Sequence, residues 1–419
     1  MGKSKKKVNK QSTSMSSRDV LGRVISLSSR HGYVYSSGQL RPTIGIKGCF
    51  DYGPLGVELR RNLVNEWWSE MVSSQEHVVG VENSVLHSSR AAQISPSPGH
   101  SGTTSHHLNV RFNDDEEEAW LQSSLHDGLF SHYFNTLCLL NRRLPFGLAQ
   151  VGPCFNRPSA SQGIDTFIFN GLQTSEMSMQ FFSTPKTSNL WFNTWHRDRL
   201  SWWRKFAGIP SDFTATDITT SGHVQSTEIQ YKFPWGVDTI ERISNHGSVP
   251  VEQMQDLFKT DMQGKDGRKS VIPHTIETSA SLEGGLLAYL VDGYQEKQRT
   301  DTRGQSVSRE ILRLHLRLAP LKVIILPLRG TKELRELSDY LGKEFRKASI
   351  NVRSIIEVSP SLENYYTMFD EMGVPFTILL NENTLKSGIL RVRNRDTTLM
   401  QQLHITEVRD MILRHLEAD

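Results

Sequence analysis

The sequence predicts an α+β protein in which a domain built on an antiparallel sheet precedes a smaller α/β domain. Two observations support this prediction. Strand-like runs dominate residues 147–300 with few helical patterns between them, whereas beyond Pro320 short apolar strands alternate with amphipathic helices. The length of 419 residues also suits two or three domains of ordinary size.

The first domain begins with an apolar helical pattern at 19–30 and a short strand at 32–35. A turn-rich run at 48–56 leads into a helix at 57–72, where Pro54 is tolerated because a proline near a helix start loses no hydrogen bond. Further patterns predict helices at 120–143, 188–206 and 285–294, and strands at 147–155, 167–172, 177–182, 228–233 and 275–279.

The second domain follows a different plan, with strands at 323–326, 351–356, 376–380 and 389–392 and helices at 332–347, 361–372 and 406–416. These patterns indicate a mostly parallel or mixed sheet. The predicted boundaries are a basic tail at 1–17, a first domain at 18–296 with an insertion at about 88–145, a basic linker at 297–317 and the second domain at 318–419.

The charge distribution excludes a protein coated with positive charge. Lys and Arg number 48 and Asp and Glu 45, and five of the lysines lie in the first ten residues. Any nucleic-acid binding must therefore use local basic patches. The basic N-terminus is compatible with either an organelle transit segment or a plain basic tail.

The three cysteines, Cys49, Cys138 and Cys154, are too few and too widely spaced for a disulfide framework or a zinc site. The histidines show no ligand spacing either, so we expect no metal and no cofactor. No window approaches 18 consecutive apolar residues, so we expect no membrane span.

Three motifs in the correct order resemble those of glycyl-tRNA synthetases. The run 50–59 with Trp67 and Trp68 is similar to the first class II motif, and the run 231–236 is similar to the substrate-pocket strand. The runs 318–328, 370–379 and 391–398 are similar to the anticodon-binding domain. The resemblance implies a class II aminoacyl-tRNA synthetase-like antiparallel-sheet domain followed by an anticodon-binding-like α/β domain.

The departures from that family concern its ATP and amino-acid sites. A class II synthetase binds ATP with arginines, because the α-phosphate gains negative charge as the amino acid attacks. One arginine position holds Asn156, with Arg157 one residue out of register, and the other holds Gly284. In the amino-acid pocket Glu241 remains, while Arg242 replaces a glycine and would obstruct a small substrate. The resemblance therefore implies a ligase scaffold without ligase activity.

Four stretches, at 144–150, 202–207, 266–269 and 395–398, resemble the accessory subunits of animal mitochondrial DNA polymerase gamma. This resemblance implies a processivity subunit of the mitochondrial matrix and nucleoid that binds the catalytic polymerase subunit and double-stranded primer-template DNA. It also implies a homodimer, although the insertion that builds much of that interface in vertebrate members is short and acidic here. Two alternatives remain open: a glycyl-type tRNA ligase, and a synthetase-like tRNA-binding or regulatory protein.

Within this resemblance, basic residues beside loop glycines are the first candidates for DNA contact, because flexible side chains there can reach phosphates. They are Lys265, Arg268 and Lys269, and a second set comprises Arg197, Arg199, Arg204 and Lys205. The edge-like run 380–398 supplies the candidates for contact with the catalytic subunit, Arg391, Arg393 and Arg395. For each residue the alternative interpretation is solvated surface charge or an ordinary strand position.

Overall fold

A computed structural model describes residues 17–40, 45–46, 48–88, 108–111, 118–156, 167–300, 306–355 and 361–418. The protein combines helices and sheets, so the α+β prediction is confirmed. Nearly all of the predicted basic tail, Arg157 and the Pro/Ser/Gly-rich part of the insertion lie outside the described residues.

The chain begins with helices and short strands that precede the central sheet. They are α1 (Ser17–His31), β1 (Val34–Ser36), α2 (Ser37–Leu40), β2 (Phe50–Tyr52), α3 (Pro54–Trp68), β3 (Val78–Gly80), β4 (Leu86–Ser88), β5 (Leu108–Arg111), β6 (Glu118–Leu121), α4 (His126–Ser131) and α5 (Tyr133–Leu139). The helix predicted at 120–143 is thus wrong over its first part. Trp120 pairs with His87 and Asn109 in a three-stranded sheet, so long-range pairing outweighs the local helical period.

The elements of the central sheet and its helices follow. They are β7 (Phe146–Phe155), β8 (Gln173–Ser183), α6 (Ser188–Lys205), β9 (Phe213–Ala215), β10 (Thr219–Ser221), β11 (Val224–Phe233), β12 (Gly236–Gly247), α7 (Val249–Phe258), β13 (Gly264–Asp266), β14 (Lys269–Val271), β15 (His274–Ser281), α8 (Leu282–Gly293), β16 (Tyr294–Thr300) and β17 (Ser306–Leu312). The run predicted as a strand at 167–172 instead contains a short 3-10 helix, Phe167–Asn170, because so short an apolar run does not distinguish helix from strand.

The central sheet has the strand order β10-β11-β12-β15-β8-β7-β3, with β9 also paired to β11. All its pairs are antiparallel except β3 with β7. One face, which we call the core face, buries Met177, Met179 and Ile243 in the main apolar core with α6 and α8. The other, the open face, packs Phe182 beneath Phe130 and other residues of α4, α5 and α7.

Residues 297–317 differ from the predicted linker. Most of them belong to the antiparallel hairpin of β16 and β17, which packs against α10 (Leu362–Glu371). The excess of basic residues that suggested a linker is in part held by acids of other elements, as in the pair of Arg309 with Asp370. The domain boundaries themselves stay a prediction.

The C-terminal elements are β18 (Val323–Pro327), α9 (Lys332–Lys347), β19 (Val352–Ser354), α10, β20 (Phe376–Leu380), α11 (Glu382–Ser387), β21 (Ile389–Asn394), β22 (Met400–His404) and α12 (Val408–Ala418). The strand order is β19-β18-β20-β21-β22, with two parallel and two antiparallel pairings. Leu326 and Leu379 of this sheet belong to the same apolar cluster as Leu63 and Leu286. The two sheets are therefore joined by a shared core.

Candidate functional site

The open face of the central sheet carries a row of polar side chains where the resemblance places the ligase site. Strand register sets Arg242, Ser279, Ser178 and Gln150 side by side across β12, β15, β8 and β7. Glu176 lies on the same face and accepts a hydrogen bond from the Ser279 hydroxyl at 2.5 Å. Because alternate residues of a strand share a face, this row is a direct consequence of the sequence alternation in β8 and β15.

Glu241 lies on the core face, opposite to Arg242, and is not part of that row. Its Oε1 accepts a hydrogen bond from Arg199 Nε at 2.8 Å, and its Oε2 accepts one from Trp203 Nε1 at 2.5 Å. The Arg199 and Glu241 side chains are 1% and 0% exposed, and the Arg199 guanidinium also lies over the Trp202 ring. Two predictions are therefore corrected: Glu241 does not line an amino-acid pocket, and Arg199 is unavailable for DNA.

Arg242 remains on the open face, half exposed, and its Nη2 donates to Glu228 Oε1 at 2.7 Å. Asn156, just beyond β7, donates its side-chain amide to the Ser123 carbonyl at 2.9 Å. Gly284 lies in the first turn of α8, where its backbone N–H donates to the Ser281 hydroxyl that caps the helix. Arg242, Asn156 and Gly284 are thus all engaged in local structural contacts.

A buried cluster of one carboxylate and two histidines connects α4 to the open face of the central sheet. Glu277 Oε2 lies 2.9 Å from His126 Nδ1 and 3.1 Å from His246 Nε2. Burial disfavours the charged imidazole, but the Glu277 carboxylate outweighs it and raises the pKa of His126 to about 9. Burial likewise opposes ionisation of Glu277, but the two histidines hold its pKa well below the usual range. The cluster favours the charged pair in the folded state.

We expect this cluster to make stability fall at alkaline pH. The folded-state pKa of His126 lies above the ordinary 6.5, so its contribution is complete below pH 6.5 and is lost as pH rises through about 9. The measurement is urea unfolding at a series of pH values. As pH rises through this interval, the free energy of unfolding of the wild type should fall by on the order of 2 kcal/mol more than that of His126→Gln. His223→Gln, on an exposed turn, is the matched control. Equal losses in wild type and His126→Gln would contradict the assignment.

The first DNA-binding candidates lie together on an exposed hairpin formed by β13 and β14. Lys265 and Lys269 are on its two strands, Arg268 is in its two-residue turn, and all three are exposed. Gly267 has a φ of +62°, which suits the glycine at the first central position of a hairpin turn. The backbone of Arg143 pairs with that of Lys265, so Arg143 places a further basic side chain beside this hairpin. The sequence did not indicate this neighbour, because the two residues are far apart in the chain.

The remaining DNA-binding candidates on α6 are exposed, but each also contacts another residue of the protein. Arg197 pairs with the adjacent Asp198 at 2.9 Å, and Arg204 donates from both Nε and Nη2 to the Phe213 carbonyl. Lys205 lies over the Phe206 ring. These residues form a solvated helix face rather than a concentrated patch.

Two of the three candidate partner-binding arginines are buried. Arg393 donates to both oxygens of Asp370 at 2.7 and 2.9 Å, and its side chain is 4% exposed. Arg395 donates to the backbone carbonyls of Leu312, Gly373 and Leu314. Their prediction as partner-binding residues is therefore corrected, whereas Arg391 is exposed.

A partly apolar cavity of about 320 Å³ opens beside these arginines, between β21, β22 and α12. Its wall combines apolar side chains with polar ones, and no lining residue is Asp, Glu, Lys or Arg. The apolar residues are Phe376, Val392, Leu399, Met400 and Met411, and the polar ones are Asn394, Thr397, Gln401 and His415. Leu399 is 71% and Met400 47% exposed, which is unusual for neighbouring large apolar residues. Sequence analysis missed this surface, because its residues come from separate elements.

Within the described ranges, no group of three or more His, Cys, Asp or Glu residues is arranged to hold a metal ion. The described helices include none that is both long and apolar enough to cross a membrane.

Comparison with known proteins gives two kinds of relative. The family described as an anticodon binding domain matches residues 322–415. The chain is 38% identical over 385 residues to the DNA polymerase subunit gamma-2, mitochondrial, of Xenopus laevis, covering 89% of this chain and 83% of that protein. It is 34% identical to the DNA polymerase subunit gamma-2 of Mus musculus (93% and 88% covered) and 28% identical to a glycine–tRNA ligase of Borreliella burgdorferi (92% and 95% covered).

Proposed function

The chain belongs to the DNA polymerase subunit gamma-2 family, and we propose that it is the non-catalytic accessory subunit of a mitochondrial DNA polymerase. The observation that carries this proposal is the identity of 38% across 89% of the chain, which is ten points above that to a glycine–tRNA ligase. An accessory subunit acts by binding, so its function depends on surfaces for the catalytic subunit and for DNA.

The same proposal includes loss of ligase activity. Asn156 and Gly284 supply no positive charge where a class II enzyme stabilises the reacting α-phosphate. The loss of one such group already costs about 3–4 kcal/mol of transition-state stabilisation, so loss of both is incompatible with useful activation of an amino acid. The contact of the Asn156 side chain with the Ser123 carbonyl supports this view.

For DNA we propose contact through the basic hairpin of β13 and β14. Lys265, Arg268 and Lys269 are exposed, and phosphates are the partner that three flexible cations on one turn suit best. Because phosphate contacts carry no sequence information, binding is expected to be sequence-independent and salt-dependent.

For the catalytic subunit we propose the apolar cavity of the second domain. Its lining supplies no Lys or Arg for a phosphate backbone, and its apolar side chains suit a protein segment. The exposure of Leu399 and Met400 leaves the mouth of the cavity accessible. Homodimerisation and residence in the matrix nucleoid belong to the same proposal and rest on the family resemblance.

A processivity assay tests the proposed function. Adding the wild-type protein to the catalytic subunit should lengthen the products made per binding event, and Leu399→Asp should abolish the effect, because it places a charge at the proposed apolar contact. Glu407→Ala, another exposed change near β22, is the control that should keep full stimulation. Unchanged product length with the wild type would overturn the proposal, and glycine-dependent ATP–pyrophosphate exchange would favour the ligase alternative.

A further inference from the structure

Strand β22 is the last strand of the C-terminal sheet, and among the described residues its only strand partner is β21. The outer edge of such a strand presents a row of unpaired backbone N–H and C=O groups, which is a template for a further strand. Proteins usually protect these edges with charged side chains, prolines or very short strands. An edge that lacks such protection is suited to pairing with another chain.

The outer edge of β22 lacks each of these protections. Its five residues, Met400–His404, include no Lys, Arg, Asp, Glu or Pro, and the first three are exposed. The strand at the other end of the same sheet, β19, has only three residues and carries the exposed Arg353. The end strands of the central sheet, β10 and β3, also have three residues each. Among the ends of the two large sheets, β22 is therefore the long and uncharged one.

Two hydrogen bonds that flank the β21–β22 pair show which backbone groups face outward. The N–H of Ile405 donates to the carbonyl of Gly388, and the N–H of Asn394 donates to the carbonyl of Leu399. Because hydrogen-bonded and non-hydrogen-bonded positions alternate in an antiparallel pair, the odd-numbered residues of β22 turn their backbone groups towards β21. The even-numbered residues, with Gln402 at the centre, therefore turn their N–H and C=O groups away from the sheet.

The cavity lies directly beside this edge, on the side of the sheet where α12 packs. Gln401 pairs with Val392, and both line the cavity. Leu399 lines it as well and is exposed, so the cavity is accessible from the edge. A strand added outside β22 would lie about 4.8 Å from it, and every second side chain would point to the α12 side. A cavity of about 150 Å³ accommodates a benzene ring, so about 320 Å³ has room for a large side chain.

We propose that an extended segment of the catalytic subunit adds to β22 as a sixth strand of the C-terminal sheet and places an apolar side chain in the cavity. The inference rests on the proposed function and specifies how the cavity contact is made. In strand addition, main-chain hydrogen bonds supply affinity and pockets for alternate side chains supply specificity. The β22 edge offers both, and its lack of charge fits an uncharged segment. A helix would leave the outward groups of β22 unpaired, because its own backbone groups are already bonded to each other.

Gln402→Pro tests the backbone contact. Proline removes the outward N–H of residue 402 without removing a bond to β21, and an edge strand tolerates proline at such a position. The affinity for the catalytic subunit should fall about tenfold or more, because one hydrogen bond is lost and its acceptor is left unpaired. Gln402→Ala removes the side chain but keeps the N–H, so it should weaken binding by a clearly smaller factor.

Thr220→Pro is the matched control for an edge proline. Thr220 is exposed on β10, beside the Ser221–Val224 pair that closes a two-residue hairpin turn. That closing pair is hydrogen-bonded in such a hairpin, so the N–H of Thr220 also faces outward. Thr220→Pro should keep the wild-type affinity for the catalytic subunit.

Amide hydrogen exchange on the wild-type protein gives a second test that needs no variant. Addition of the catalytic subunit should slow exchange at Met400 and Gln402. Gln401 and Leu403 should change little, because their N–H groups already face β21 in the free protein. A segment that covers the edge without pairing to it would slow exchange without this alternation, and that result would overturn the proposal.

The affinities separate the inference from the function on which it rests. If the wild type does not bind the catalytic subunit, the proposed function fails. If the wild type binds and Gln402→Pro binds equally well, strand addition alone is overturned, and equal losses in Gln402→Pro and Gln402→Ala overturn it too. A wild-type dimer that Gln402→Pro separates into monomers in sedimentation assigns the edge to a second copy and also overturns it. Should Gln402→Pro not fold, the exchange pattern of the wild type decides.

Discussion

Glu241→Ala is expected to lower the free energy of unfolding by about 3–5 kcal/mol, because it leaves the buried Arg199 guanidinium without its counter-charge. Neither Nη atom of Arg199 has a hydrogen-bond partner among the described residues, so no second hydrogen bond replaces the lost one. The change also removes the acceptor of the Trp203 indole N–H. Urea unfolding at neutral pH measures the loss.

Glu228→Ala provides the matched control for this prediction. Glu228 lies on the adjacent strand and pairs with Arg242, but that pair is largely open to water, with the arginine side chain 49% exposed. Because solvent screens the pair, the free energy of unfolding of Glu228→Ala should fall by no more than about 1 kcal/mol. Equal losses in the two variants would mean that burial does not decide the strength of these ion pairs.

Replacing Lys265, Arg268 and Lys269 together by alanine is expected to weaken primer-template binding and to flatten its salt dependence. Each phosphate contact releases condensed counterions, so losing three contacts should reduce the slope of log affinity against log salt concentration by about 2.7. The residues are exposed on a hairpin turn, so the fold should be kept. Fluorescence anisotropy with a labelled primer-template across a salt series measures both effects.

A second triple variant controls for the loss of charge. Arg329, Lys332 and Lys347 are 72%, 85% and 74% exposed in and beside α9 of the second domain. Their replacement by alanine removes the same formal charge from another part of the surface. Its slope should stay close to that of the wild type, and equal changes in both triple variants would refute a local DNA site on the β13–β14 hairpin.

The buried arginine Arg199 could have been recognised from its spacing. It follows Trp195 by four residues and precedes Trp202 and Trp203 by three and four, so all four lie on one face of α6. Those tryptophans are buried, and Arg199 is buried with them. An arginine in an aromatic helix stripe predicts a core ion pair better than it predicts a DNA contact.

The arginines in and directly after β21 could not be recognised in this way. Arg391, Arg393 and Arg395 alternate along the chain, which predicts that they share one face of the strand. The structure exposes Arg391 but buries Arg393 and Arg395, because α10 and the end of β17 cover only part of that face. Whether a strand face is covered depends on elements far away in sequence.

The sequence by itself determined the α+β class and most helices and strands, since these depend on the period of neighbouring residues. Only the tertiary structure decided which charges are buried in pairs and which remain free. Arg199 and Glu241 are 42 residues apart, Arg309 and Asp370 are 61, and His126 and Glu277 are 151. Local patterns carry no information across such distances, because a buried charge is defined by the partner that folding brings to it.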